Sequence, residues 1–222
     1  MYTKTLSSLQ DRDRAVIWHP YTQHKNMQPL MAVAGAKGTC IYDESGRVYI
    51  DAISSWWTNL HGHSHPYIAE KLYSQALQLE HVIFAGCTHE PAVALAEQLL
   101  PLLPGDFSKV FYSDNGSTAV EVALKMALQF QKNKGARKRN KIIALKNAYH
   151  GDTFGAMSVS ERGIFTLAFE DYLFDVLFIE PGSDWTLLKI EWDAIACFIY
   201  EPLVQGAGGM ILYDAEWLNE FI

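Results

Sequence analysis

The fold of this chain is decided by VFYSDNGSTAVEVALKMALQF, residues 110–130. Val110–Tyr112 is a short β-prone run, and residues 113–117 supply polar turn and cap residues around Gly116. From Thr118 onward no helix breaker occurs through Phe130. The stretch therefore predicts a strand, a tight loop and a helix.

A strand-to-helix junction of this kind points unpaired backbone N–H groups toward one place. Gly116 lets a ligand approach closely, while Ser117 and Thr118 add hydroxyl groups, so a phosphate or a carboxylate would be attracted there. The same residues also fit an ordinary turn in which Ser117 or Thr118 is the helix N-cap. The local sequence leaves both interpretations open.

The predicted helix carries one narrow polar stripe. Glu121, Lys125 and Gln129 lie four residues apart, and nearly every other position is apolar. A helix that is exposed to solvent along one stripe has to be buried on its other sides, as happens when helices flank a mostly parallel sheet.

The remaining chain supplies such a sheet. Three apolar runs, Lys141–Leu145, Val176–Ile179 and Ile195–Tyr200, are separated by helical or loop segments long enough for parallel crossovers. Upstream, Thr39–Ile53 predicts a β-hairpin, and two helices are expected to begin near Pro66 and Pro91. The sequence therefore predicts an α/β fold preceded by a small antiparallel unit.

Ligands of parallel sheets bind at the carboxyl ends of the strands. By this rule Gly116, Ser117, Tyr149, His150 and Glu201 are expected to converge at one edge. Each also has a structural interpretation: His150 as a hydrogen-bond donor in a loop, Tyr149 as a packed ring and Glu201 as a surface turn residue. Glu201 is the most informative, because a carboxylate directly after a buried strand needs a partner.

Two further patterns lie in the first third of the chain. In Ser54–Trp57 an extended backbone would point the two tryptophan rings to opposite faces. His61, His63 and His65 occupy alternate positions, which on a strand would converge on a metal. The neighbouring Gly62 and Pro66 oppose a strand, and no carboxylate follows at close spacing, so a metal site is disfavoured.

Composition narrows the function classes. The chain has 222 residues, of which 49% are apolar and 13% aromatic, with a formal charge of -7 and a pI near 5.6. An acidic chain is a poor partner for nucleic acid or an anionic membrane. Three widely spaced cysteines without metal-ligand spacing, together with the lack of a bilayer-length apolar run, predict a soluble cytoplasmic protein. The apolar helix pattern at residues 214–222 stops without a cap, which suggests part of a longer chain.

Three separated motifs together resemble the class III, fold-type I pyridoxal-phosphate aminotransferases. They are SDNGSTAVE at 113–121, YHGDTFGA at 149–156 and EPLVQGAGGM at 201–210. Within that family, WHPYT at 18–22 and SSWW at 54–57 resemble the biotin-pathway branch. Members of that branch transfer an amino group from S-adenosylmethionine to 8-amino-7-oxononanoate, giving 7,8-diaminononanoate.

The resemblance implies roles for the converging residues. Gly116 and Ser117 would hold the phosphate of pyridoxal 5'-phosphate. Tyr149 would stack on the pyridine ring or line the substrate side, with His150 beside it, and Glu201 would support the ring-facing end of the site.

The resemblance also implies the substrate wall and the domain plan. Tyr21, Trp56 and Tyr149 would contact the amino-ketone substrate. Residues 1–60 would form the N-terminal arm and β-hairpin segment of a small domain, and residues 61–222 a partial cofactor-binding large domain of a homodimer.

The family lysine that forms the Schiff base would lie beyond residue 222. Two alternatives therefore remain: a truncated remnant or pseudo-enzyme that binds pyridoxal phosphate or another phosphorylated ligand without catalysis, and another class III ω-amino acid aminotransferase. The amino donor also stays open, since enzymes that use lysine and enzymes that use S-adenosylmethionine could share this half.

Overall fold

The structure is a computed structural model and describes residues 8–222. It divides into two compact units, the first ending at Leu95 and the second running from Ala96 to Ile222. The predicted boundary at residue 60 came from the family resemblance and not from compactness. The predicted domain plan of residues 1–60 and 61–222 therefore stays a prediction.

The first unit is built around a three-stranded antiparallel sheet. Its elements are α1 (Leu9–Val16), β1 (Val33–Lys37), β2 (Cys40–Asp43), β3 (Val48–Ile50), α2 (Ser54–Trp57), α3 (Pro66–Gln78) and the start of α4 (Glu90–Leu99). The strands lie in the order β1, β2, β3. The predicted hairpin is confirmed as β2 and β3, and the helix expected at Pro66 begins there.

The hairpin turn is closed by one buried carboxylate. Asp43 Oδ1 accepts hydrogen bonds from the amides of Ser45 and Arg47, each at 2.9 Å, and Oδ2 accepts one from Arg47 Nε at 2.8 Å. Strand β1 and helix α1 were not predicted. The start of α1 carries a capping box of Ser8 and Asp11, in which the Asp11 amide donates to Ser8 Oγ at 3.1 Å.

The second unit contains a parallel sheet. Its elements are α5 (Gly116–Asn133), β4 (Lys141–Leu145), α6 (Phe154–Ser158), β5 (Leu177–Ile179), β6 (Ile195–Ile199), β7 (Val204–Gln205), β8 (Ile211–Leu212) and α7 (Ala215–Phe221). Short 3-10 helices cover His24–Asn26, Leu100–Leu102, Leu167–Tyr172, Trp185–Leu187 and Trp192–Ala194 across the two units. The order β5, β4, β6 with both pairings parallel confirms the α/β prediction.

Strand β4 is the centre of this sheet and is covered on both faces. Ile143 and Leu145 pack in one cluster with Ile179 and Phe221, the latter on α7. The alternate residues Ile142 and Ala144 pack in a second cluster with Leu124 of α5 and Val159. An apolar run buried on both faces is typical of a parallel strand between helical layers.

The strand predicted at Val110–Tyr112 is wrong: these residues pair with no strand. Both neighbours of β4 are already β5 and β6, and a β-prone run without a hydrogen-bonded neighbour does not form a ladder. The three cysteines are free thiols, and Cys87 is exposed. No helix within residues 8–222 is long and apolar enough to cross a lipid bilayer.

Candidate functional site

The N-terminus of α5 is organised by a capping box. Asn115 is the N-cap, in place of the Ser117 or Thr118 predicted, because its backbone is extended and its side chain reaches back over the first turn. Asn115 Oδ1 accepts from the Thr118 amide at 3.0 Å, and Thr118 Oγ1 accepts from the Asn115 amide at 3.1 Å. The cap satisfies two of the four N–H groups that a helix start leaves unpaired.

The other two N–H groups, those of Gly116 and Ser117, have no hydrogen-bond acceptor within residues 8–222. A Cβ atom built on Gly116 would meet nothing within 4 Å, so there is open space in front of these amides. Free amides at the positive end of an 18-residue helix form a donor set that suits a phosphate group. We call Gly116 and Ser117 the anion cradle.

The loop of residues 149–152 lies directly against the anion cradle. The Asp152 amide donates to Ser117 Oγ at 3.2 Å, and the Tyr149 hydroxyl donates to Asp152 Oδ2 at 2.9 Å. A Cβ atom on Gly151 would lie 2.9 Å from Ser117 Cα, so only a glycine allows this approach. Tyr149 is 41% exposed, which leaves part of its ring for stacking on a planar ligand.

Glu201, at the end of β6, ties this loop to the chain beyond the sheet. Its Oε1 accepts from the Tyr149 amide at 3.0 Å, and its Oε2 accepts from the Gly206 amide at 2.9 Å. Glu201 is therefore not a free surface residue. Through Asp152 and Tyr149, hydrogen bonds link the start of α5, the 149–152 loop and the end of β6, which is the convergence that the strand order predicted.

His150 is held beside this network. Its amide donates to Ser160 Oγ at 2.8 Å, and its Nε2 atom is buried without a hydrogen-bond partner. Burial lowers the pKa of His150, and the negative charge of Glu201 offsets part of that effect. The neutral imidazole is therefore favoured at pH 7.

Sequence reasoning misplaced Glu121. The sequence predicted that Glu121 lies on the solvent-exposed polar stripe of α5. In the structure, Glu121 Oε1 accepts hydrogen bonds from the amides of Gly155 at 2.6 Å and Ala156 at 3.1 Å. Burial raises the pKa of Glu121, yet the nearby Thr153 hydroxyl and the hydrogen bonds from these two amides outweigh it and hold the pKa below its ordinary value. Glu121 thus joins α5 to the first turn of α6. Helical spacing alone gave no signal of this contact.

The two residues predicted to form the substrate wall also lie together, in the first unit. The ring centroids of Tyr21 and Trp56 are 5.5 Å apart, in an edge-to-face arrangement. The backbone of Ser54–Trp57 is not extended, because all four residues have positive φ angles and form a left-handed turn. The two indoles therefore do not alternate between faces, and both are more than half exposed.

The histidine triplet does not converge. His63 Nε2 lies 2.8 Å from Asp51 Oδ2, while the rings of His61 and His65 lie edge to face with their centroids 6.1 Å apart. Among residues 8–222, no group of three or more metal-ligating side chains is placed to hold an ion.

Comparison with known proteins identifies the relatives of this chain. A family model described as aminotransferase class-III matches residues 21–221. The adenosylmethionine-8-amino-7-oxononanoate aminotransferase of Synechococcus elongatus is 48% identical over 220 residues, which cover 92% of this chain and 52% of that protein. The protein of the same name from Geobacter sulfurreducens is 39% identical, with 96% and 52% covered.

Solved structures of similar proteins point to the same family of enzymes. The adenosylmethionine-8-amino-7-oxononanoate aminotransferase of Methanocaldococcus jannaschii superposes with a TM-score of 0.89 at 36% identity, covering 95% of this chain and 50% of that one. An omega transaminase of Pseudomonas jessenii, in complex with PMP, superposes with a TM-score of 0.86 at 26% identity, covering 96% and 52%. The chain thus has the fold-type I transaminase fold and spans about half the length of these relatives.

Proposed function

Since the chain belongs to the class-III aminotransferases, whose cofactor is pyridoxal 5'-phosphate, we propose that it forms the phosphate-binding part of an enzyme that aminates 8-amino-7-oxononanoate to 7,8-diaminononanoate in biotin biosynthesis. The observation that carries this proposal is the anion cradle: two unpaired amides at a helix start with open space before them. The names of the similar proteins support the choice of substrate.

Gly116 and Ser117 would bind the cofactor phosphate through their N–H groups, and the Ser117 hydroxyl, which accepts from Asp152, can still donate its own proton. Tyr149 would cover the pyridine ring, and Glu201 would fix the Tyr149 backbone through its amide. His150, neutral and partly buried, would lie beside the ring. When bound, pyridoxal phosphate supplies an electron sink that the side chains of a protein lack.

Tyr21 and Trp56 would receive the apolar chain of the amino ketone, because aromatic side chains line sites for such ligands. We also propose that Tyr149 contacts the substrate. We further propose S-adenosylmethionine as the amino donor, a homodimer as the active assembly and the cytoplasm as its location.

Phosphate binding can be tested with a substitution that fills the cradle without disturbing the fold. Gly116 has an ordinary φ and open space around it, so Gly116→Ala is expected to fold normally while its methyl group crowds the anion. Gly163→Ala is the matched control, since Gly163 also has no atom within 4 Å of an added Cβ and no positive φ. Equilibrium dialysis of the chain with pyridoxal 5'-phosphate and with pyridoxal should show phosphate-dependent binding that only Gly116→Ala weakens. Equal affinity for the two compounds would refute the cradle.

The reaction can be tested in a chimera. This chain would replace the matching portion of the Synechococcus elongatus relative, and the product 7,8-diaminononanoate would be measured with S-adenosylmethionine or lysine as donor. Product formation with S-adenosylmethionine is expected. A chimera that aminates other ω-amino ketones but not 8-amino-7-oxononanoate would favour the second class III activity, and one that binds pyridoxal phosphate with no transfer would favour a non-catalytic binder.

A further inference from the structure

The turn that carries Trp56 is conformationally unfavourable by itself. Ser54, Ser55, Trp56 and Trp57 have φ angles of 49°, 47°, 57° and 62°. Residues other than glycine enter this left-handed region one at a time and at a cost, because Cβ approaches the following carbonyl oxygen. Four in succession require contacts elsewhere that hold them. We call residues 54–57 the tryptophan turn.

Asp51 supplies the nearest of these contacts. Its Oδ2 accepts from the Ser55 hydroxyl at 2.7 Å, and its backbone oxygen accepts from the Ser54 amide at 3.2 Å. The Ser55 amide and hydroxyl, followed by His63, lower the pKa of Asp51 to about 2. The carboxylate is therefore ionised throughout the physiological range and remains a strong acceptor.

His63 completes the arrangement from another part of the chain. Its Nε2 lies 2.8 Å from the same Asp51 Oδ2, and the Asp51 and His63 side chains are only 6% and 16% exposed. The His63 backbone is itself fixed, because its amide donates to the Gly38 oxygen at 2.8 Å and its oxygen accepts from the Gly38 amide at 3.0 Å. The Asp51 amide donates to the Thr39 oxygen at 2.8 Å. The pair is thus anchored on both sides to the turn between β1 and β2.

We propose that Asp51 and His63 are positioning residues that hold the tryptophan turn left-handed and so keep the indole of Trp56 edge to face with the Tyr21 ring. The turn begins three residues after Asp51, and two of its strained residues bond to Asp51: the Ser55 hydroxyl donates to the carboxylate, and the Ser54 amide donates to the backbone oxygen. That this placement matters for substrate binding rests on the proposed function, in which Tyr21 and Trp56 contact the amino ketone. The pair would then determine specificity without touching the substrate.

We call the Asp51–His63 pair the clamp. Its effect on the tryptophan turn can be observed by fluorine NMR. The full chain would be labelled with 5-fluorotryptophan, and the signals of Trp56 and Trp57 assigned by replacing each with phenylalanine. In His63→Leu both signals are expected to shift or broaden, while those of Trp185 and Trp217 in the second unit stay in place. In His63→Gln, whose amide can still donate to Asp51, the native positions should return. His61→Leu is the matched control, since His61 is an exposed histidine of the same loop.

Unchanged Trp56 and Trp57 signals in His63→Leu would overturn the proposal, as would an equal change in His61→Leu. Titration with 8-amino-7-oxononanoate then tests the substrate role of Trp56 separately from the positioning role of Asp51 and His63. The Trp56 signal of the native chain should move on addition of this ligand, with an affinity about tenfold weaker in His63→Leu, equivalent to one lost hydrogen bond to a charged group. A Trp56 signal that depends on His63 but ignores the ligand would support the clamp and overturn the substrate wall.

Discussion

Removing the Glu121 carboxylate should release the first turn of α6. In Glu121→Ala the amides of Gly155 and Ala156 lose the acceptor that they now share, at 2.6 and 3.1 Å. A Cβ atom added to Gly155 would collide with the Glu121 carboxylate, so the carboxylate packs directly against this turn. The side chain of Lys125, one turn further along α5, is exposed, and Lys125→Ala is the matched control.

The magnitude follows from two hydrogen bonds to a charged acceptor. Each contributes about 1.5–3 kcal/mol when buried. Because both amides meet one oxygen and Glu121 is only half-buried, the two do not add fully, and we expect a loss of about 2–3 kcal/mol. Glu121→Gln keeps a neutral acceptor and should lose about half as much. Lys125→Ala should cost below about 0.5 kcal/mol, as exposed charges do.

Hydrogen exchange of the Gly155 and Ala156 amides measures this loss at the site itself. About 2 kcal/mol corresponds to an exchange rate about thirtyfold faster in Glu121→Ala. Because the pKa of Glu121 is lowered in the folded chain, its contribution is present above the ordinary glutamate pKa and is lost as the pH falls below about 4. Protected amides in Glu121→Ala, or equal acceleration in Lys125→Ala, would refute the assignment.

Three further changes test other parts of the structure. Gly151→Ala would place a Cβ atom 2.7 Å from the Ser117 Cβ at a φ of 131°, so pyridoxal phosphate should bind about tenfold more weakly, measured by dialysis against Gly163→Ala. Asn115→Ala removes the α5 cap and should lower the free energy of unfolding by about 1 kcal/mol in urea titrations. Because the pKa of Asp51 is lowered, its hydrogen bonds stabilise the fold above about pH 4 and are lost as the pH falls toward about 2. The fluorine signals of the tryptophan turn should therefore change between about pH 4 and about pH 2. They should stay constant between about pH 5 and about pH 4.

The sequence predicted the elements whose stability depends on apolar burial. Strand β4 has four consecutive buried residues, so its apolar run was sufficient to identify it. The parallel order followed from the lengths of the connecting segments, and the convergence of the 149–152 loop with Glu201 followed from that order.

Features that depend on a distant partner were not predictable from local sequence. Glu121 has the spacing of a surface residue, and only the position of α6 reveals that it accepts two amides. The sign of φ in the tryptophan turn is likewise absent from its composition, because no glycine marks it, and Asp51, which bonds to the turn, is itself bonded to the more distant His63. The N-cap of α5 lay within a run of polar residues that can all cap a helix, and the extended backbone of Asn115 decides among them.

The cap of α5 explains how one helix start can be stable alone and still bind an anion. Asn115 and Thr118 satisfy the N-cap and third amides reciprocally, so the helix does not need a ligand in order to begin. The amides left over are the first and second, those of Gly116 and Ser117, which point outward along the axis where the helix dipole is most positive. Had Ser117 been the cap, one of the possibilities that the local sequence left open, its amide would have lain outside the helix and its hydroxyl would have been occupied with the backbone. Placing the cap one residue before the glycine therefore leaves two amides and a hydroxyl for phosphate, already ordered before the ligand arrives.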